Sequence, residues 1–327
     1  MKNLGCIAKM NYVVGAYVCA PSFHGGGKAD DDVFYHKLQS FSEIRGLELP
    51  FWGGGIEIAN GEHQIKRLLP SWQNVLTTIP YLATACKKDS KIGLASTNEA
   101  GRVASVMEIK QAFLYVQKIN QHFGKNMFLG IQIASAPASY GSASSTDMFC
   151  KSFEEIVSWN WCGTKILVEH CDAIRVDGQY EKGFLALEEE LSVVSNFYGE
   201  NVGLSINTGR SAIEFLDAYS VFQHTDLVQR HGLLSSVMFS GTTSLRGDYG
   251  PWRDLHMPFA EFPGSNFPAK GSTLNAKFLD QARSSINFLE LDFTGYKIMP
   301  FPTDQSEFDI CIGVNVDAIK ILNQYLP

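Results

Sequence analysis

Eight short runs of apolar, β-branched or aromatic residues recur along this chain, and no other feature restricts its fold as strongly. They lie at 12–21 (YVVGAYVCAP), 44–51 (IRGLELPF), 74–81 (NVLTTIPY), 127–137 (MFLGIQIASAP), 165–173 (KILVEHCDA), 202–210 (VGLSINTGR), 236–241 (SVMFSG) and 289–299 (LELDFTGYKIM). Each ends in small or polar residues and lacks clean alternation, as strands buried on both faces do. Between them the apolar spacing turns helical. The clearest helix is expected over 99–123, with Thr97 and Asn98 as capping candidates and Gly124 at its end. Further helices read at 150–158, 186–198, 211–230, 273–287 and 306–325. A strand every roughly thirty to fifty residues is the rhythm of βα units and not of hairpins. Eight in succession predict closure into a single-domain (β/α)8 TIM barrel over residues 1–327, with a doubly wound open sheet as the competing arrangement.

In such a barrel the loops that follow strands share one face. Two are long: 135–147 after strand four, and 241–272 after strand seven, a lid-like loop whose Trp252, Phe259, Phe262 and Phe267 argue against disorder. No interdomain linker is visible.

Composition narrows the function. The chain carries a net charge of −7 without a basic stripe, which argues against nucleic acid as a partner. No run reaches the ~18 apolar residues of a membrane span. Lys2 and Lys9 ahead of Tyr12–Ala20 imitate a secretory leader, but the run is short, broken by Gly15 and resembles the later strands. Seven scattered cysteines with no C-x-x-C pair fit a reducing compartment, so a cytoplasmic location is expected. The glycine triplets at 25–27 and 53–55 lack the helix and downstream acid of a dinucleotide fingerprint. The expected partner is a small molecule, and a homo-oligomer is compatible with the sequence.

The densest group of reactive side chains is Glu169, His170 and Asp172 at the end of strand five. Strand alternation sends Glu169 and His170 to opposite faces. Such a cluster acts in acid–base chemistry or metal binding, or else pins loops through hydrogen bonds. Strand six ends in Asn207 and Arg210, a neutral amide beside a planar cation suited to hydroxyl or carboxylate groups, or alternatively a helix cap and an arginine bridged to Glu169. Trp252, Asp254 and His256 in the strand-seven loop combine a ring that stacks on sugars with proton-handling groups. Lys297 at strand eight is an electrostatic clamp, a solvated rim residue or a Schiff-base nucleophile. Glu48 and Gln132 complete the ring.

Three stretches, 94–106 (LASTNEAGRVASV), 207–210 (NTGR) and 253–258 (RDLHMP), give the chain a resemblance to the xylose isomerase-like barrel superfamily of sugar isomerases, epimerases and endonuclease-type hydrolases. With VEHCD and the strand-eight ending it looks most like a bacterial branch known only as a domain of unknown function. The resemblance implies carbohydrate chemistry of the isomerase or epimerase type, with a glycoside hydrolase or lyase using Glu169 and Asp254, or a non-catalytic sugar-binding barrel, as the alternatives. Epimerase-type members hold a divalent metal through Glu, Asp, His and Glu after strands five to eight. Carried over, Glu169 matches the first, Asn207 replaces the Asp, Phe239 or Ser240 stands at the His, and Lys297 replaces the last Glu. An amide and a cation suit Mg²⁺ or Mn²⁺ poorly, so no cofactor is favoured. A divalent metal, if held, would use Glu169, His170, Asp172 and His256. The expected catalytic residues are Glu169, His256 and Lys297. The expected substrate ligands are Glu48, Gln132, His170, Asn207, Arg210, Trp252 and Asp254.

Overall fold

The computed structural model describes residues 10–54, 64–300 and 308–327. The eight runs become eight parallel strands: β1 (Tyr12–Val14), β2 (Ile44–Pro50), β3 (Asn74–Thr77), β4 (Phe128–Ile133), β5 (Lys165–His170), β6 (Val202–Asn207), β7 (Leu234–Phe239) and β8 (Phe293–Tyr296). Each pairs with the next, and β1 pairs with β8 through Tyr12↔Thr294 and Val14↔Tyr296, so the sheet closes and the open-sheet alternative falls.

The strands are shorter than the runs because their last residues begin the next element. β3 stops at Thr77, and α2 (Ile79–Lys88) starts with Pro80 in its first turn, where a missing N–H costs nothing. β6 stops at Asn207, whose Oδ1 accepts the N–H groups of Gly209 and Arg210 and so starts α6 (Thr208–Phe215). Arg210 therefore stands on a helix and not on a strand. The helical stretch read at 211–230 is two helices, α6 and α7 (Val221–Arg230), parted by Leu216 in the left-handed region at φ 53°.

Further helices among the described residues are α1 (Lys28–Leu38), α3 (Glu99–Phe123), α4 (Thr146–Val157), α5 (Leu187–Ser195), α8 (Ala276–Ser285) and α9 (Phe308–Tyr325). α3 has the expected bounds, with Asn98 Oδ1 accepting from Gly101 and Gly124 left-handed at its end. α1 and α2 follow no pattern singled out in the sequence. Among the described residues no helix is long and apolar enough to cross a membrane.

Inside the barrel the side chains form layers, as strands of alternating stagger require. Val13, Val75, Leu167 and Met238 from the odd-numbered strands pack with Phe293 into an apolar plug. A hydrogen-bonded polar group comes next: Ser236 donates to Ser205 Oγ at 2.7 Å, and Gln132 Nε2 donates to it at 3.2 Å. Two residues beyond Leu167 and Ser205 on the same inward face stand Glu169 and Asn207. Glu169 and Asn207 thus stand beyond this polar layer at the C-terminal ends of their strands, whereas Lys165 marks the opposite end of β5 and pairs with Asp292 there.

Candidate active site

Glu169 is fully buried, with Oε1 2.6 Å from Arg210 Nη1 and 3.5 Å from Asn207 Nδ2. Arg210 reaches the other way to Asp254, its Nε 3.3 Å from Oδ2, and Lys182 Nζ lies 2.8 Å from the same oxygen. From the opposite side of the barrel Lys297 Nζ comes within 2.9 Å of Glu48 Oε2, both side chains almost wholly buried. Gly15 makes room for this pair. A Cβ there would stand 2.7 Å from Lys297 Cγ and 3.0 Å from Glu48 Oε2. Asp254 and His256 arrive on the long connection after β7, which is clamped to the strand end by Gly241–Met257 hydrogen bonds of 3.0 and 2.8 Å. His256 Nδ1 lies 2.9 Å from Ser240 Oγ and 3.4 Å from Asp254 Oδ1, and its φ of 51° is unusual for a residue with a side chain.

These neighbours fix the protonation states. Burial would lower the Lys297 ammonium, but Glu48, then Tyr17 and Glu169, push it above its ordinary value, which favours the charged form and an electrostatic role over that of a Schiff-base nucleophile. Burial raises the Glu48 carboxyl, with Lys297 opposing. Burial would also raise Asp254, yet Lys182 and Arg210 hold it well below the usual carboxylate range. Burial pushes His256 well below its ordinary value and Lys297 and Arg210 add to this, with only Asp254 opposing, so the imidazole is neutral.

Glu48 Oε1, Glu169 Oε2 and Gln132 Oε1 are buried and accept no hydrogen bond from the protein. The Lys297–Glu48 and Arg210–Glu169 contacts are close but lie off the hydrogen-bonding direction, leaving Lys297 Nζ and Arg210 Nη1 also without a directional partner. Buried polar atoms are nearly always satisfied, so such a concentration at one strand-end face marks a place where polar groups from outside belong. Tyr17, Val18, Leu255 and Met299 form a small apolar cluster over the mouth, and Lys297 Nζ stands 4.8 Å from the Tyr17 ring centre. A cavity of about 580 Å³ opens beside it, reaching Lys182 and Asp254 and lined also by Tyr140, Tyr180 and Arg253.

Of the residues expected from sequence, Glu48, Gln132, Glu169, Asn207, Arg210, Asp254, His256 and Lys297 face the barrel interior or its mouth. His170 does not. It leaves β5 on the outer side, its Nδ1 2.7 Å from Glu190 Oε2 and its Nε2 2.9 Å from Glu214 Oε2. Burial would lower this imidazole, but the two carboxylates raise it to about 10. Asp172 accepts the backbone N–H groups of Glu181 and Lys182 and thereby pins the loop that carries Lys182. Trp252 hydrogen-bonds through its backbone to Thr243, and the ring that meets Tyr17 is Trp52, 6.2 Å away and perpendicular. Glu169, His170, Asp172 and His256 therefore do not form one metal set. Sequence reading missed Lys182, Tyr17 and Glu214. The first comes from an irregular loop and carries no periodic signal, whereas Tyr17 lay within the first apolar run.

The metal position implied by the sequence resemblance does not fit these side chains. Phe239 stacks outward on Phe288, so Ser240 takes the histidine's place and binds His256. Arg210 already neutralises Glu169, and an ammonium stands at the last ligand. Among the described residues one group has metal-like spacing, His170, Glu214 and His224, which lies behind β5 and allows a divalent metal.

The closed ring of eight parallel strands, with its polar residues gathered at one mouth, is a (β/α)8 barrel. Solved structures similar in fold include a D-tagatose 3-epimerase-like protein (TM-score 0.57, 13% identity, 96% of this chain and 98% of that one). The IOLI protein with a bound zinc atom (0.55, 11%, 97% and 99%) and the 3-keto-D-glucoside 4-epimerase of E. coli (0.53, 12%, 94% and 99%) are also similar. Residues 13–308 match the family described as Domain of unknown function (DUF4862), and the chain belongs to that family. An uncharacterised protein of Salmonella typhimurium is 34% identical over 319 residues, 96% of this chain and 97% of that protein.

Proposed function

We propose that this protein is a sugar epimerase or isomerase that moves a proton next to a carbonyl without a metal at the barrel mouth. The carrying observation is the juxtaposition, in one buried mouth, of two carboxyls with unmet oxygens (Glu48, Glu169) and two fixed cations without directional partners (Arg210, Lys297). Abstraction of the α-proton by Glu169 sends the carbon–hydrogen electron pair to the carbonyl oxygen. Lys297 and Arg210 stabilise the resulting enediolate, the charge a metal would otherwise meet. Glu48, ionised beside Lys297 at rest but with a carboxyl that burial raises, takes up a proton from solvent and returns it to the other face of the enediolate, and neutral His256 donates to a substrate hydroxyl. Asn207, Gln132 and Asp254 orient the remaining hydroxyls. The fold neighbours named as sugar epimerases support the substrate class. Free cysteines at positions 19, 86, 150, 162 and 171 suit a cytoplasmic setting.

The hydrolase alternative draws less support. Arg210 lies between Glu169 and Asp254 and contacts both, and Lys182 and Arg210 hold Asp254 well below the usual carboxylate range, so Asp254 does not supply the protonated acid that glycoside cleavage needs. The test is deuterium wash-in from D2O over a panel of ketoses, aldoses and inososes, read by NMR. Exchange at the carbon beside the carbonyl, lost in Glu169→Gln, is expected. Absence of exchange from every sugar would sink the reading, and unchanged calorimetric binding by Glu169→Gln would then select a sugar-binding barrel.

A further inference from the structure

Behind β5, away from the mouth, three side chains from three elements converge. His170 points outward from the strand, Glu214 comes from the last turn of α6 and His224 from the first turns of α7. One ligand atom of each lies within 4.8 Å of the other two. The imidazoles stand edge to face with ring centres 4.9 Å apart. His170 is fully buried, His224 nearly so, and the Glu214 side chain is 10% exposed.

The partners around them are those of a metal site. His170 Nδ1 is tied to Glu190 Oε2 at 2.7 Å, and Glu190 is itself fixed by the Ser135 hydroxyl at 2.5 Å. His224 Nδ1 is tied to Ser211 Oγ at 2.9 Å. Each ring thus has its far nitrogen engaged by an outer group, the arrangement that sets tautomer and direction in metal-bound histidines. His170 Nε2 faces Glu214 Oε2 at 2.9 Å, that oxygen also accepts the N–H of Ala173, and with His224 Nδ1 engaged by Ser211 its Nε2 is the nitrogen open to a ligand.

We infer that His170 Nε2, His224 Nε2 and a Glu214 oxygen hold one divalent cation, with zinc preferred. Two neutral imidazoles and one carboxylate form a borderline donor set that suits zinc better than magnesium or calcium, whose ligands are mostly oxygen. Zinc bonds of about 2.0–2.1 Å place ligand atoms closer than 4.8 Å, so the set draws in by on the order of an ångström on binding. The cation displaces the proton shared by His170 Nε2 and Glu214, while Glu190 keeps the proton on Nδ1.

The site has a positioning role. His170 follows Glu169 on β5, and Glu214 lies one turn after Arg210 on α6. An ion there ties together the two backbone segments that carry the Glu169–Arg210 pair, and α7 with them. It takes no part in proton transfer.

The experiment uses the whole chain, stripped with a chelator and dialysed against Zn²⁺, with metal content read by plasma mass spectrometry. Parallel loading with Co²⁺ reads geometry from the visible d–d bands. About one equivalent of tightly held zinc and an intense tetrahedral-type cobalt spectrum are expected. His224→Gln should abolish both, and Ser211→Ala, which removes only an outer hydroxyl, should weaken affinity about 10–100-fold. Glu169→Gln, at the mouth, should retain the metal. Sub-stoichiometric zinc in the wild type, or equal retention by folded His224→Gln and Ser211→Ala, overturns the assignment. So does loss of zinc in Glu169→Gln. None of these readouts depends on sugar turnover, so failure here leaves the epimerase reading untouched, and the reverse.

Discussion

Replacing Lys297 by Met tests whether the barrel mouth is organised by buried charge. The side chain is 1% exposed and its Nζ lies 2.9 Å from Glu48, which is fully buried. Methionine fills most of the same volume but leaves Glu48 as an uncompensated carboxylate whose Oε1 already has no partner. Removing one member of a buried ion pair costs about 3–5 kcal/mol, which for a chain of this size lowers the melting temperature by roughly 6–10 °C. The double variant Glu48→Gln/Lys297→Met removes both charges and should recover most of that loss, because the penalty belongs to the orphaned ion. The deficit of the single variant should also shrink in acid. With its folded value raised by burial, Glu48 binds a proton more tightly in the folded state, so that contribution is complete below the unfolded value near 4.3 and is lost as the pH rises through the folded one. Urea unfolding followed by circular dichroism between pH 4 and 8 measures both effects. If Lys297→Met lies within about 1 kcal/mol of the wild type at pH 7, or the double variant is no better than the single, the buried-charge reasoning fails.

Glu48→Gln should keep deuterium wash-in by Glu169 yet reduce formation of the second epimer by roughly 10²–10⁴-fold, as judged by chromatographic product analysis. Equal loss of both steps would remove Glu48 from proton return. Asp254→Asn should cost about 3 kcal/mol at neutral pH by stranding Lys182, and should flatten the acid limb of the stability curve. The sign follows from its depressed carboxyl: the contribution is complete above the unfolded value near 3.9 and lost as pH falls through the folded one. Acid titrations that superpose for variant and wild type would contradict this. Gly15→Ala, at an unstrained φ of −75°, should cost about 1–3 kcal/mol through contact with Lys297 and lower exchange activity in parallel, as thermal melts and wash-in rates would show. A neutral outcome in both would mean that Lys297 relaxes freely.

The architecture was readable because buried parallel strands leave an apolar run wherever they occur. Their ends were not, since the run continues into whatever packs on the barrel. Pro50, Thr77 and Asn207 close strands by starting turns or helices, and only the cap at Asn207 has a local signature. The inward direction of Glu169 and the outward direction of His170 follow from strand alternation alone. What His170 meets on the outside does not follow, because Glu190, Glu214 and His224 sit on separate helices whose rotation is set by packing. Lys182 was invisible for a related reason. It reaches Asp254 from an irregular loop folded by backbone hydrogen bonds to Asp172, which no side-chain periodicity records. Glu48 and Lys297 were each visible singly, but their pairing depends on the closure of β8 against β1 and on the bare backbone of Gly15.

The apolar cluster above the charges is assembled from three separate connections: Tyr17 and Val18 follow β1, Leu255 follows β7, and Met299 follows β8. Moving one of these segments leaves the other two in place, so entry from directly above the charges needs them to part together, whereas the side cavity already reaches Lys182 and Asp254. Capture from above should therefore fall well short of collision frequency. Shortening any one of these side chains would be felt first as faster loading and faster escape, before any change in the chemistry beneath.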